Sequence, residues 1–176
     1  RLVAKSGSRC KASSRLLSLD CAASLHPLAL GALLEQVWRD ARHLAQGQIM
    51  QLEGIEASVV SGHADRLRQL VLVLLDNALK YTPQSGTVRM SLKVEAHHAL
   101  LRITDTGPGI AADQLPRVFE RFYRADKGRA RGTDPGGTGL GLPIAQWIVA
   151  QHGGEIKLES TVGVGTTAIV RLPIVP

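Results

Sequence analysis

Four strings between Leu67 and Leu142 carry residues whose types and spacing suit chemistry on a phosphate compound. Asn77 sits among Leu74, Leu75, Ala78 and Leu79, where an amide must find partners, and its oxygen makes a hard ligand for a magnesium ion that keeps most of its waters. Lys80 follows one turn later and can meet a phosphate as a point charge. In Asp105-x-Gly107-x-Gly109, a carboxylate ending a strand accepts a hydrogen bond from an exocyclic amine such as adenine's, and the glycines let backbone approach the base. Phe119-Glu120-Arg121-Phe122-Tyr123-Arg124 opens a basic stretch that continues through Lys127, Arg129 and Arg131 and suits a loop closing over a polyphosphate. Gly137-Thr138-Gly139-Leu140-Gly141-Leu142 precedes a helix whose free N–H groups and positive dipole end can hold anionic phosphates.

Each string has a bland counterpart. An Asn at a helix end can simply be solvated, and Asp with Gly forms ordinary turns without any ligand. The glycine run is not a dinucleotide fingerprint, because a charged loop rather than a buried strand precedes it and its spacing is G-x-G-x-G. No G-x-x-x-x-G-K-[ST] string is present, which excludes a P-loop. It is the ordered set that describes a site for ATP with a bound metal.

The elements that must position these residues follow from periodicity. Leu30, Leu33, Leu34, Val37, Trp38, Ala41 and Leu44 repeat at helical steps and predict a helix ending before Gly47, with a short strand after it around Ile55 to Val60. Asp65 is then a plausible N-cap for a second helix, in which Leu67, Leu70, Val71, Leu74, Leu75 and Ala78 form the core stripe and Pro83 marks the stop. On its other side Gln69, Val73, Asn77 and Lys80 fall in line and should face a cleft. Thr87 to Glu95 alternates cleanly and predicts a half-buried strand, with His97 and His98 at the turn and Ala99 to Thr104 returning. Residues 105 to 141 are rich in Gly, Pro and charge, the composition of a functional lid that orders around its ligand. Leu142, Ala145, Ile148, Val149 and His152 make a third helical stripe, and Glu155 to Ser160 and Thr166 to Leu172 two final strands. The expected fold is α/β: a two-layer sandwich of a mixed, mostly antiparallel sheet of about five strands under three helices, with a long ATP lid.

With 176 residues, 44% hydrophobic and 20% charged, the chain can bury one full core and does not have the composition of a disordered segment. Residues 1 to 27 lack periodicity and read as a leader or the end of a preceding element, with the domain proper at 28–176. The first residue is Arg1, and no signal peptide or run of 18 apolar residues appears; the expectation is a cytoplasmic piece of a longer protein, with inner-membrane anchoring of the parent left open. Cys10 and Cys21 read as free thiols, there being no second Cys/His pair at ligand spacing. Net charge is +6 but clustered, and 3% aromatic residues give few platforms for bases, so nucleic acid is not an expected partner.

Together the strings resemble the catalytic and ATP-binding domain of sensor histidine kinases, within the wider ATPase superfamily of gyrase, the Hsp90 chaperones and MutL. The resemblance runs from about Leu28 to Pro173. Leu74 to Pro83 is similar to the family's asparagine box, Asp105 to Ile110 to its first glycine box and Gly137 to Leu142 to its second, while Phe119 to Arg124 looks like the phenylalanine box that marks histidine kinases. By that resemblance Asn77 would hold magnesium, Lys80 and Arg124 would contact phosphates, Tyr81 would pack by the nucleoside, Asp105 would bind the adenine amine, and Gly165-Thr166 would close the base pocket. Gly107, Gly109, Ile110 and Phe122 would join the nucleotide site, as would Gly137, Thr138, Gly139, Leu140, Gly141 and Leu142.

The resemblance implies transfer of the γ-phosphoryl of magnesium-bound ATP to a histidine on a separate dimerisation and phosphotransfer domain. A response regulator would lie downstream, the parent would be dimeric, and this fragment would be monomeric. Two departures stand out. The family often has a second asparagine where this chain has Val73, and no acceptor motif of the His-Glu/Asp type is present, His26 lying before Pro27. The alternatives are an ATP-sensing module without phosphotransfer, or an ATP hydrolase of the gyrase or chaperone type, for which Gln69 would be a poor base.

Overall fold

The computed structural model describes residues 25–124 and 138–175. Most of the expected leader, Cys10, Cys21, Gly137 and the basic residues Lys127, Arg129 and Arg131 lie outside the described residues. Within them no helix is long and apolar enough to cross a membrane.

The chain starts with β1 (His26–Ala29) and then α1 (Leu30–Ala41). Leu30, Leu34, Val37 and Ala41 are buried at helical spacing, as the stripe requires. The α-helix stops sooner than its periodicity suggests: a single 3-10 turn over Arg42–Leu44 follows, and Leu44 is exposed. The single strand expected around Ile55 to Val60 is instead two, β2 (Ile49–Ile55) and β3 (Val59–Gly62). β2 is hard to see in the sequence because it is an edge strand with a register shift between Glu53 and Ile55, around Gly54, so its alternation breaks. β1 pairs antiparallel with β3, remote in sequence, with Pro27 lying opposite Ser61.

Helix α2 (Ala64–Tyr81) buries Leu67, Leu70, Val71, Leu74, Leu75, Ala78 and Leu79. Its N-cap is His63 rather than Asp65, which sits in the first turn where its charge complements the helix dipole. No side chain caps this end; the entry is held by His63 N–H donating to Nε2 of His152, 3.1 Å away. At the other end Thr82 Oγ1 donates to Ala78 O at 2.6 Å. Gln48 Nε2 donates to Leu79 O and Thr82 O, at 3.1 and 3.0 Å, so carbonyls a helix end leaves orphaned are satisfied.

β4 (Thr87–Glu95), β5 (His98–Asp105), α3 (Gly141–Gln151), β6 (Glu155–Thr161) and β7 (Gly165–Pro173) complete the fold. The main sheet has five strands in the order β2-β4-β5-β7-β6, parallel only between β2 and β4. Val88, Met90, Leu92, Ala99, Leu101, Ile103, Val170 and Leu172 form its inner face against the helices. A fully buried leucine here contributes roughly 1.5–3 kcal/mol, so the stripes of α1 and α2 hold the helical layer on the sheet. Three helices over a mostly antiparallel five-stranded sheet is the expected sandwich; the two-stranded β1–β3 ribbon is added to it.

Candidate functional site

A cleft of about 310 Å³ opens beside the second half of α2. Val73, Asn77 and Lys80 line it as their spacing predicts, and Gln69 does not. The reason is α3, which runs back along α2. It begins with Gly141, where a Cβ would lie 3.2 Å from Val73 Cγ1 and 3.4 Å from Asn77 Nδ2, and its C-cap His152 lies against His63. On the way Arg66 stacks over the Trp147 ring at 5.4 Å and donates to Gln69 at 3.4 Å. On this side the first half of α2 packs against α3, and its second half faces the cleft.

At one end of the cleft Asp105 closes β5, 9% exposed. Its Oδ1 accepts the N–H of Gly107 at 2.8 Å and the N–H of Thr166 at 3.3 Å, while no hydrogen bond from the described residues reaches Oδ2. Burial pushes this carboxyl above the usual aspartate range, and the two N–H groups oppose that rise. Gly165 stands behind it with φ +142°, and a Cβ there would run into the Asp105 carbonyl, so no other residue fits this close approach. Gly109 is held likewise: its φ is +72° and a Cβ would strike the Thr161 carbonyl. The loop after Asp105 is thus pinned onto the β6–β7 turn, with Gly163 N–H donating to Pro108 O at 2.8 Å.

Lys80, Arg124 and the start of α3 line the same cleft. Among the described residues the Asn77 amide has no hydrogen-bond partner and Lys80 no ion pair; the Lys80 ammonium lies 5.5 Å from the Tyr81 ring centroid. No side chain caps α3, so the N–H groups of Gly141 and Leu142 stay available, whereas Pro143 has none. Val73 fills the contact between α2 and Gly141. No group of three or more His, Cys, Asp or Glu side chains able to hold a metal occurs among the described residues.

Of the residues nominated from sequence, Asn77, Lys80, Tyr81, Asp105, Gly109, Ile110, Arg124, Thr138, Gly139, Gly141, Leu142 and Thr166 line this one cleft. Gly107 and Gly165 shape it from behind Asp105. Phe122 and Leu140 do not line it. Phe122 is 69% exposed with φ +63°, and its N–H donates to Gly139 O at 3.0 Å, so its contribution is to hold the loop by backbone. Leu140 is the N-cap of α3. Sequence reasoning passed over Gln114, Val118 and Tyr123, which also line the cleft, and Ser160, whose contacts depend on strand register.

The profile of histidine kinase-, DNA gyrase B-, and HSP90-like ATPases matches residues 62–176, which include every residue that lines the cleft. The chain belongs to this ATPase family. As a member it is an ATP-binding domain of kinase type. It is 44% identical over 113 residues to the sensor histidine kinase RppB of Synechocystis, a match covering 64% of this chain and 24% of that protein. To the sensor protein SrrB of Staphylococcus aureus it is 38% identical over 146 residues, or 82% of this chain and 25% of that one. The chain thus spans about a quarter of the length of these curated relatives. Among solved structures the mycobacterial sensor histidine kinase MprB superposes with a TM-score of 0.76 at 31% identity, covering 86% of this chain and 99% of that one. Full-length ShkA in complex with AMPPNP superposes with a TM-score of 0.70 at 27% identity, covering 86% and 31%.

Proposed function

We propose that this ATPase-family chain is the catalytic domain of a sensor histidine kinase, which passes the γ-phosphoryl of magnesium-bound ATP to a histidine on a separate dimerisation domain of its parent. The observation that carries this is the division of one cleft into two chemistries. Asp105 offers a buried acceptor, while Asn77, Lys80, Arg124 and the uncapped start of α3 line the same cleft and suit phosphates. Such a cleft holds the base at one end and the phosphates at the other. The phenylalanine run Phe119 to Arg124, similar to that of histidine kinases, borders it and favours this branch over the hydrolases.

The donor set fits magnesium in one way. Asn77 supplies a single amide oxygen with no protein partner among the described residues, and with no acidic cluster among them the remaining ligands would be phosphate oxygens and water. When bound, the ion neutralises charge on the β- and γ-phosphates. The chain itself positions: Lys80 and Arg124 meet phosphate oxygens, the N–H groups of Gly141 and Leu142 receive negative charge, and Asp105 fixes the purine so that the γ-phosphate projects from the cleft. Phosphoryl transfer needs this positioning more than a covalent nucleophile. The acceptor domain, a response regulator and a dimeric parent are the partners this reading calls for.

Supplying the folded acceptor domain of the same parent with radiolabelled magnesium-ATP should give acid-labile phosphohistidine on that domain, and Asn77→Ala should abolish it. Nucleotide binding with no transfer would instead identify an ATP-sensing module, and phosphate release without an acceptor a hydrolase.

A further inference from the structure

Ser160 does not itself line the cleft described above, yet its hydroxyl joins three segments around Asp105. Strand register makes this so: Asp105, Thr166 and Ser160 are successive cross-strand partners on β5, β7 and β6. Ser160 Oγ accepts the N–H of Ile110 at 2.8 Å, lies 2.9 Å from Gly165 O and 2.8 Å from Thr166 Oγ1. The direction of these bonds is forced. A carbonyl only accepts, so the one Ser160 proton goes to Gly165 O, and the Thr166 hydroxyl must then donate to Ser160. With its proton committed there, Thr166 Oγ1 turns only lone pairs to the cleft that Thr166 lines. Asp105 Oδ2, when ionised, is likewise an acceptor only.

From this geometry we infer that Ser160 is a specificity-determining positioning residue: it locks the Thr166 hydroxyl as an acceptor, so that the base end rejects purines carrying a 6-keto group. The inference rests on the ATP-binding reading of the cleft. A 6-amino purine brings donors to the two acceptors, or to a water held between them. A 6-keto purine brings an acceptor, which neither group can satisfy, and leaving buried polar groups unpaired is what makes such sites selective. Without Ser160 the Thr166 hydroxyl is free to rotate and donate to the keto oxygen.

The test is calorimetric titration of the full chain with the magnesium complexes of ATP and of inosine triphosphate. Ser160→Ala should reduce the preference for ATP over inosine triphosphate roughly three- to tenfold, the worth of one neutral hydrogen bond, chiefly by tightening the keto nucleotide. Ser160→Thr, which retains a hydroxyl on the same carbon, should restore the preference. Should Ser160→Ala fail to fold, Ser160→Cys keeps the volume with a weaker donor and should move the ratio in the same direction by less. A lower melting temperature with an unchanged ratio in the folded variants would reduce Ser160 to a structural tie and overturn the inference while leaving ATP binding intact. Failure of the parent chain to bind ATP at all would overturn both.

Discussion

Asp105 is held by two backbone donors on one oxygen, which makes its substitution informative. In Asp105→Asn the amide oxygen takes the bonds from Gly107 and Thr166, and the amide nitrogen stands where Oδ2 stood. A donor then faces the adenine amine. Loss of the charge-assisted bond should weaken ATP binding by about 1.5–3 kcal/mol with the fold retained. Equal affinities for variant and parent would remove Asp105 from the base site. The same carboxyl sets a pH dependence. Its folded value is raised by burial, so the stability it contributes is full below the ordinary aspartate value and is lost as pH rises through the raised one. Nucleotide binding runs the other way, because it uses the ionised form. Affinity should fall as pH drops through the raised value, with proton release on binding in that window, seen by calorimetry in buffers of different ionisation enthalpy. The Asn variant should show neither. Asp105 was singled out from its place at a strand end, but the two donors that polarise its roles between Oδ1 and Oδ2 come from Gly107 and from Thr166, 61 positions away.

Among the elements, α2 carries most of the phosphate side, and both its ends are held by residues remote in sequence. Gln48 bonds two carbonyls at its C-terminus, next to Lys80 and Tyr81. Gln48→Ala should cost about 1–2 kcal/mol in urea denaturation and weaken ATP binding by loosening that last turn. An unchanged midpoint would show that water replaces the amide without loss. His152, buried at the end of α3, has its tautomer fixed by neighbours: Nε2 accepts the His63 N–H, so Nδ1 carries the proton and donates to Ile148 O at 2.7 Å. His152→Ala removes both bonds and opens a cavity between α2 and α3, with an expected loss of roughly 2–4 kcal/mol in the same assay. Periodicity counted His152 as one more member of an apolar stripe, which correctly buried it. That it also replaces a cap at His63 required the antiparallel packing of two helices, and this is why a sequence rule that looks for Asp, Ser or Thr at the cap chose Asp65.

Across the whole molecule the histidines are kept away from the cleft; none of the six lines it. His98 starts the strand that Asp105 ends, so the two are separated by roughly 23 Å of extended chain, and His97 lies on the turn beyond. His26 sits on the β1–β3 ribbon. The isolated chain should therefore bind ATP and remain unphosphorylated, since in-line transfer needs the acceptor nitrogen near contact distance of the phosphorus. Stable label on His26, His97 or His98 would contradict this. The helical stripes, the alternation of β4 and the glycine strings were determined by sequence alone, because each expresses a constraint between residues two to four positions apart or within one loop. The tertiary structure decided which half of α2 faces the cleft, how β2 and β1 pair, and that Gln48, His152 and Ser160 tie distant segments together. Those outcomes depend on contacts spanning 31, 89 and 50 positions, where no local period survives and only the packed sheet and helices bring the partners together.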